Sequence, residues 1–389
     1  MIPYDFGVAD TPYLEKLDAI EATLRGVFQA RDYRRIDLPI IHDALVFVDH
    51  LGEEMRHRMF TFPGPSGEEL CLRPEQTIPA CQYWIGSGAK NVGRLHYIGS
   101  VFRLPTDDTH RRLHFRQMGA EIFGLADRKA GNTEMLKLSI EALRAVGLHD
   151  LDVKFGDLSL FSAFVDALDI PRQWRGRMKR HFLRTGYFKT LLSAMSRGAT
   201  TGSQRLLAHL GTLDAAEGRP AFEGLVDMLG AAPQGARTRE EIVDRLMEQA
   251  ADAVALKLDP KVASLIVKLL SISGPVEKAH EKIRALTKSA GISLDRPLKA
   301  MEDRLATLKS LGVEADHVSF SVRFGRNLDY YTGFVFELWT RDAEGPVQVA
   351  GGGRYDTLLE QLGAKRSIPA IGVAIRTERV LAAQRKTPR

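Results

Sequence analysis

The sequence predicts an α+β protein, a sheet domain interrupted by a mainly helical block. Three observations carry this. Strand-like segments crowd the first 170 residues and return after residue 312. Between them, helical periods dominate, as in "REEIVDRLMEQAADAVALKL" and "PVEKAHEKIRALTKSA". A chain of 389 residues is also too long for one ordinary core. The expected organisation is residues 1–170 as the first part of the sheet domain, 171–312 as the insertion and 313–389 as the second part.

In chain order, Thr11-Pro12 reads as an N-cap followed by proline at the first helical position. Leu14, Leu17, Ile20, Leu24 and Phe28 then recur at helical spacing. "YRRIDLPIIHDALVF" reads as a strand that Pro39 confines to an edge or a bulge. "MFTFPGPSGEELCLRPEQT" reads as a hairpin about Pro63–Gly67, and "RLHYIGSVFR" and "FRQMGAEIFG" as two further strands. A helix over 133–146 ends at Gly147 as its C′ residue. Beyond the helical block, "HVSFSVRFG", "GFVFELWT", "GPVQVAGGGR" and "IPAIGVAIR" read as strands.

Composition excludes several classes. No run of 18 apolar residues exists, so no membrane span is expected. The N-terminus lacks a basic patch followed by an apolar stretch, so it is not read as a signal peptide. Cys71 and Cys81, the only two cysteines, fit a reduced thiol state in the cytoplasm. They have no histidines at zinc spacing, and no metal or cofactor is expected. The net charge of +5 permits an acidic partner or nucleic acid without requiring either. The densest basic run, Arg172 to Arg184, reads as a solvated helix face, and tRNA is not expected as a partner.

Four segments place polar groups where strands end or turn: "LRPEQT", "FRLPTDDTHRRLHFRQMGAE", "RNLDYY" and "GGGRYD" with "TERV". In the second, residues of equal parity share a face. Met118, Ala120 and Ile122 go to the core, so Gln117, Gly119 and Glu121 take the other side. The glycine leaves room for a ligand near the backbone. If Glu75 approaches the same spot, the two carboxylates resist ionisation unless a cation lies between them. An amino-acid ammonium or an imidazolium is such a cation. The bland alternative is an antiparallel sheet with one wet face. "GGGRYD" lacks a following Lys-Ser or Lys-Thr, so it is no phosphate-binding P-loop.

Together these segments resemble the catalytic core of class II histidyl-tRNA synthetase. "YRRIDLPIIHDALVF" is similar to its motif 1, "YIGSVFR" through "FRQMGAEIFG" to motif 2, and "GGGRYDTLLEQLG" through "IPAIGVAIRTERV" to motif 3. "RNLDYYTGFVFE" resembles its histidine signature. The resemblance implies an antiparallel sheet flanked by helices, working as a homodimer. It implies a histidine pocket built from Glu75 and Thr77, with Gln117 and Glu121 on the ammonium. Arg326 would face the carboxylate, and Tyr330 and Tyr331 the imidazole. Arg103, Arg111 and Arg379 would be remnants of a nucleotide site.

The departures from the synthetase pattern carry as much information. Pro105 stands where the synthetase has the glutamate that meets adenine. The loss of such a charge-assisted bond costs about 1.5–3 kcal/mol. Leu113 replaces an arginine, Arg376 and Gln76 replace glycines, and Asp32 stands where motif 1 usually has glycine. The chain ends soon after motif 3, so no anticodon-binding domain is expected. This combination resembles the regulatory-subunit family of ATP phosphoribosyltransferase, paralogues of the synthetase in histidine biosynthesis. The resemblance implies a non-catalytic, cytoplasmic subunit, a homodimer within a hetero-oligomer. Its partner would be the short catalytic subunit and its effector L-histidine. The alternative is a histidine-dependent adenylate-forming enzyme.

Overall fold

The computed structural model describes residues 9–105, 112–197, 206–207, 209–213, 215–228, 239–254, 258–325 and 328–384. The chain forms two compact units, one from residues 1–163 and 272–389, the other from 164–271.

In the first unit, helix α1 (Thr11–Gln29) buries Leu17, Ile20, Leu24 and Phe28, the stripe its periodicity predicts. Its cap lies one residue earlier than expected. Asp10 accepts a hydrogen bond from the Tyr13 amide at 3.0 Å. The segment read as one strand at 33–47 is mostly something else. It holds β1 (Arg34–Arg35) and β2 (Ile41–Asp43), separated by the turn at Pro39, and then helix α2 (Ala44–Leu51). The reason is local. Asp43 caps the helix through the Leu45 amide at 2.9 Å. Ala44, Phe47 and Leu51 share its buried face at helical spacing. Asp32 adopts a left-handed backbone with φ 61°, which accounts for the glycine usual at that position.

Next come α3 (Glu53–Arg56), β3 (Thr61–Pro63), β4 (Glu69–Leu72), α4 (Thr77–Gly86), β5 (Gly93–Phe102), β6 (His114–Phe123), α5 (Arg128–Ala145) and β7 (Asp152–Asp157). The predicted hairpin is present, with Phe62 opposite Leu70. Gly147 has φ 83°, as a C′ residue needs. Helix α6 (Leu158–Ala167) leads into the second unit.

That unit holds α7 (Arg172–His181), α8 (Thr185–Arg197), α9 (Ala215–Met228), α10 (Arg239–Val254) and α11 (Pro260–Leu270). Phe222, Val226, Val243 and Ala250 form a small core within it. The basic run is largely tied down. Arg175 donates to the carbonyls of Leu168 and Ile170, and Lys179 pairs with Asp166 at 2.6 Å.

The helical pattern runs to residue 312, but the second unit ends at 271. Strand β8 (Ser273–Pro275) pairs antiparallel with β9 (Val318–Ser321). Helix α12 (Val276–Ser289) packs on β8 and β9, and α13 (Asp295–Ser310) on α5. A three-residue Ser-Gly-Pro strand has no hydrophobic alternation to reveal it, and its proline fits an edge. Strands β10 (Phe334–Arg341) and β11 (Pro346–Arg354), helix α14 (Leu358–Gln361), strand β12 (Ala370–Arg376) and helix α15 (Thr377–Gln384) complete the unit.

Among the described residues the main sheet has nine strands, in the order β1-β5-β6-β12-β11-β10-β7-β9-β8. It is antiparallel except where β1 meets β5 and β7 meets β9. The second parallel pair needs a crossover, and the chain supplies one that includes the whole second unit. Both sides of β6 are covered. Met118, Ala120 and Ile122 are fully buried, but so are Gln117 and Glu121. The wet face that parity alone allowed is closed. No helix among the described residues is long and apolar enough to cross a membrane.

Candidate functional site

The closed side of β6 is a cluster of carboxylates and phenols. Glu121 lies opposite Leu95 of β5 and Gly372 of β12. A Cβ on Gly372 would overlap the Glu121 carboxylate, so the glycine is what makes room for it. The space above Gly119 holds no vacancy for a ligand, because the Tyr97 ring fills it. The Tyr97 hydroxyl donates to Glu121 Oε1 at 2.7 Å, and the Tyr355 hydroxyl donates to Oε2. Glu121 is 1% exposed and has no ion pair among the described residues. Burial pushes its carboxyl up to about 7, against the opposing pull of the Tyr355 and Tyr97 hydroxyls.

Glu75 stands at the start of α4 and is buried. Its two oxygens accept from the Thr77 and Ile78 amides, both at 2.7 Å, so it caps the helix whose N-terminal dipole favours an anion. Burial still raises its pKa, despite those donors and the nearby Arg103. Glu75 and Glu121 are close enough for each ionised group to disfavour the other, as their expected convergence requires. The Thr77 hydroxyl lowers the pKa of Glu121, Tyr97 and Tyr330 alike. Tyr330 is buried, with ring centroids 4.8 Å from Tyr331 and 5.7 Å from Tyr355. Gln117 is buried four residues before Glu121, opposite Gly99 and Arg376. Its amide has no partner among the described residues.

The structure therefore brings together Glu75, Thr77, Glu121, Tyr330 and Tyr331, with Gln117 adjoining. Arg326 and Arg111 lie outside the described residues. Tyr97, Tyr355 and Cys81 belong to the cluster and escaped the sequence reading. The Cys81 thiol is raised by burial and by Glu121 and Glu75. The register of β5 on β6 places Tyr97, the chain after β11 places Tyr355 and the packing of α4 places Cys81, and none of these is a local property.

Two arginines in the expected chemical segments do structural work. Arg73 donates to the carbonyls of Ser100 at 2.8 Å and Pro39 at 3.0 Å. Arg354 ties Asn132, Asp356 and the Arg128 carbonyl together. In the region expected to be a nucleotide remnant, Arg376 lies 4.0 Å from the Phe115 ring centroid and Arg103 5.5 Å from it. Arg103 donates to the Pro74 carbonyl at 2.6 Å. Arg379 donates to the Gln348 carbonyl at 3.0 Å. Gln76, fully buried, donates to the Gln117 carbonyl at 3.2 Å.

A sheet of this order, with a carboxylate pair and phenols gathered against one face of β6, defines a histidyl-tRNA synthetase-like core. The family model for histidyl-tRNA synthetase matches residues 9–221 and 220–380. The fold is shared with an ATP phosphoribosyltransferase regulatory subunit/histidyl-tRNA synthetase from Bacillus halodurans, with TM-score 0.65 and 20% identity over 98% of this chain and 82% of that one. It is also shared with histidyl-tRNA synthetase from a Nostoc species, with TM-score 0.58 and 16% identity over 99% of this chain and 73% of that one.

Closer relatives in sequence narrow the class. ATP phosphoribosyltransferase regulatory subunits from Mesorhizobium japonicum and Brucella ovis are 32% and 34% identical. They cover 96% and 92% of this chain, which in turn spans 99% and 95% of them. The chain belongs to the family of ATP phosphoribosyltransferase regulatory subunits, within the histidyl-tRNA synthetase-like fold.

Proposed function

We propose that this protein is the histidine-responsive, non-catalytic regulatory subunit of ATP phosphoribosyltransferase, and that the carboxylate–phenol cluster is where histidine binds. One observation carries the reading. Glu121 is a buried carboxylate beside a second one, with hydroxyl donors but no cation among the described residues. Such a group is costly when ionised and becomes favourable when a ligand brings a positive charge. The α-ammonium of histidine supplies it, with Gln117 beside it and the rings of Tyr330 and Tyr331 available to the imidazole. Arg326 would meet the carboxylate. Occupancy becomes regulation if the two states of the pocket bind the catalytic subunit differently.

Arg103, Arg111 and Arg379 read as vestiges of a nucleotide site, and no cofactor is needed. Adenylate formation is disfavoured, because Arg376 stands in place of a motif 3 glycine and projects its guanidinium over the Phe115 ring, where the synthetase would hold ATP. In the assembly we expect a homodimer bound to the short catalytic subunit. Ile40, Ile41 and Leu45, 48%, 52% and 59% exposed on and beside β2, are apolar surface that a second copy would cover. The free thiols Cys71 and Cys81 suit a reducing cytoplasm.

The test is to mix the purified chain with the short catalytic subunit and follow transferase activity with and without histidine. The expected result is activity only in the mixture, reduced by histidine. Unchanged transferase activity on mixing would overturn the regulatory reading. Histidine-dependent exchange between pyrophosphate and ATP would favour the adenylate-forming alternative.

A further inference from the structure

Arg354, Tyr355 and Asp356 follow one another where β11 ends, and the Tyr355 amide still pairs with the Ala370 carbonyl at 2.9 Å. Extended residues alternate across a sheet. Tyr355 turns to the carboxylate side, where its hydroxyl donates to Glu121. Arg354 and Asp356 turn to the side that carries α5, and there they are fastened together. Their side chains are 5% and 9% exposed, and Arg354 Nη1 donates to Asp356 Oδ1 at 2.8 Å. Asp356 Oδ1 also accepts from the Ala370 amide at 3.0 Å, and Oδ2 pairs with Arg128 Nε at 2.9 Å. The rest of the Arg354 guanidinium meets Asn132 Oδ1 at 2.9 Å and the Arg128 carbonyl at 3.1 Å. The knot lines a cleft that the starts of α5 and α13 also line.

The same knot reaches the other tyrosine segment. The Thr332 amide donates to the Arg354 carbonyl at 2.8 Å, and the Asp356 amide donates to Thr332 Oγ1 at 3.0 Å. Thr332 directly follows Tyr331, whose ring packs on Tyr330 and lies over Gly353. Two phenols of the pocket are thus hung from one buried acid on the far side of the sheet. Apolar residues of similar size would stabilise such a place as well as a buried ion pair does, so the pair points to a need for one fixed geometry. A binding group has to be held within about 0.5 Å of its working place by partners that are themselves locked.

We propose that Asp356, clamped by Arg354 and Arg128, is a positioning residue for the pocket across the sheet: it sets the Tyr355 hydroxyl on Glu121 and thereby sets the affinity for the amino-acid ligand. The ligand in this assignment rests on the proposed histidine pocket, and the geometry does not.

Histidine titration by calorimetry and urea unfolding at pH 8 test this with Tyr355→Phe, Asp356→Asn and their combination. Tyr355→Phe removes one hydroxyl from a charged acceptor, so histidine should bind about tenfold more weakly. Asp356→Asn should cost about the same. The double variant should also lie about tenfold below the wild type, because both changes remove one contact. A residue that only supports the fold gives losses that multiply, to about a hundredfold. The second readout needs no ligand. The Tyr355 hydroxyl favours the ionised form of Glu121. Glu121→Gln should therefore stabilise the Asp356→Asn and Tyr355→Phe proteins more than it stabilises the wild type, by about tenfold in the unfolding equilibrium. Glu75, Thr77 and Cys81 of α4, Tyr97 of β5 and Tyr330 also face Glu121, and they are common to every variant. Where Asp356→Asn fails to fold, Thr332→Val removes the hydroxyl that the Asp356 amide meets and is read in the same way, with a loss of about threefold. The assignment is overturned if the double variant loses about a hundredfold, or if Asp356→Asn leaves histidine affinity or the Glu121→Gln gain at the wild-type value. Absence of histidine binding in the wild type would overturn the histidine pocket instead, and the unfolding comparison would still decide the placement of Tyr355.

Discussion

Replacing Glu121 with glutamine removes a titrating group and little else. The side chains are nearly isosteric, and both keep an acceptor for the Tyr97 hydroxyl. In the folded protein the Glu121 carboxyl is pushed up from 4.5 to about 7, by burial first. The folded state therefore holds this proton more tightly than the unfolded chain. The stability it contributes is full below about 4.5 and is lost as pH rises through about 7. Across that window the shift corresponds to about 3 kcal/mol of stability, an order of magnitude for a fully buried acid. Glutamine cannot ionise and so escapes the loss. Urea unfolding of both proteins at pH 5, 6, 7 and 8 reads the difference. Other titrating groups, present in both proteins, cancel in it. The variant should match the wild type near pH 5 and gain on it steadily, by about 1–3 kcal/mol at pH 8. Calorimetry at pH 8 should show histidine binding lost in the same variant, because the ammonium no longer meets a charge. A stability difference that stays flat with pH, or that favours the wild type at pH 8, refutes the account of a buried, cation-less carboxylate.

Three further outcomes follow from the same geometry. Gly372→Ala places a methyl group on the Glu121 carboxylate; it should cost about 1–3 kcal/mol in urea unfolding and abolish histidine binding. His96 is fully buried, with both ring nitrogens unpartnered among the described residues and a pKa lowered to about 4 by burial and by Arg35 and Arg25. Its folded pKa lies below the ordinary 6.5, so the unfolded chain takes the proton first and stability falls as pH drops from about 6.5 towards 4. His96→Leu should flatten that fall in thermal unfolding between pH 4.5 and 7. Ile41→Asp with Leu45→Asp adds charge to the exposed apolar surface at β2 and should yield a monomer by light scattering, with the fold unchanged by circular dichroism.

Much of this architecture is written locally. The helix of 11–29, the hairpin at 61–72 and the strands β5, β6, β10, β11 and β12 follow from periodicity and turn residues. Strand parity sorts β6 correctly, with Met118, Ala120 and Ile122 on one side and Gln117 and Glu121 on the other. Parity cannot say whether the second side is wet, because that depends on what packs against it. There, Tyr97 fills the gap at Gly119, and Tyr330 and Tyr355 seal the rest. Helix α2 was hidden by a β-like run of apolar residues until Asp43 supplied its cap. Strand β8 was hidden because three residues of serine, glycine and proline have no pattern to show.

The sequence by itself determined the residue types, the face each strand presents and the family those motifs match. Only the tertiary structure decided that Glu121 is clasped by two phenols with no cation among the described residues, and that Arg376 covers Phe115. It also decided that the segments 126–133, 293–304, 332–334 and 354–356 line one cleft. The reason is physical. Periodicity reports interactions a few residues long, whereas burial, register and unmet hydrogen bonds depend on segments hundreds of residues apart in the chain.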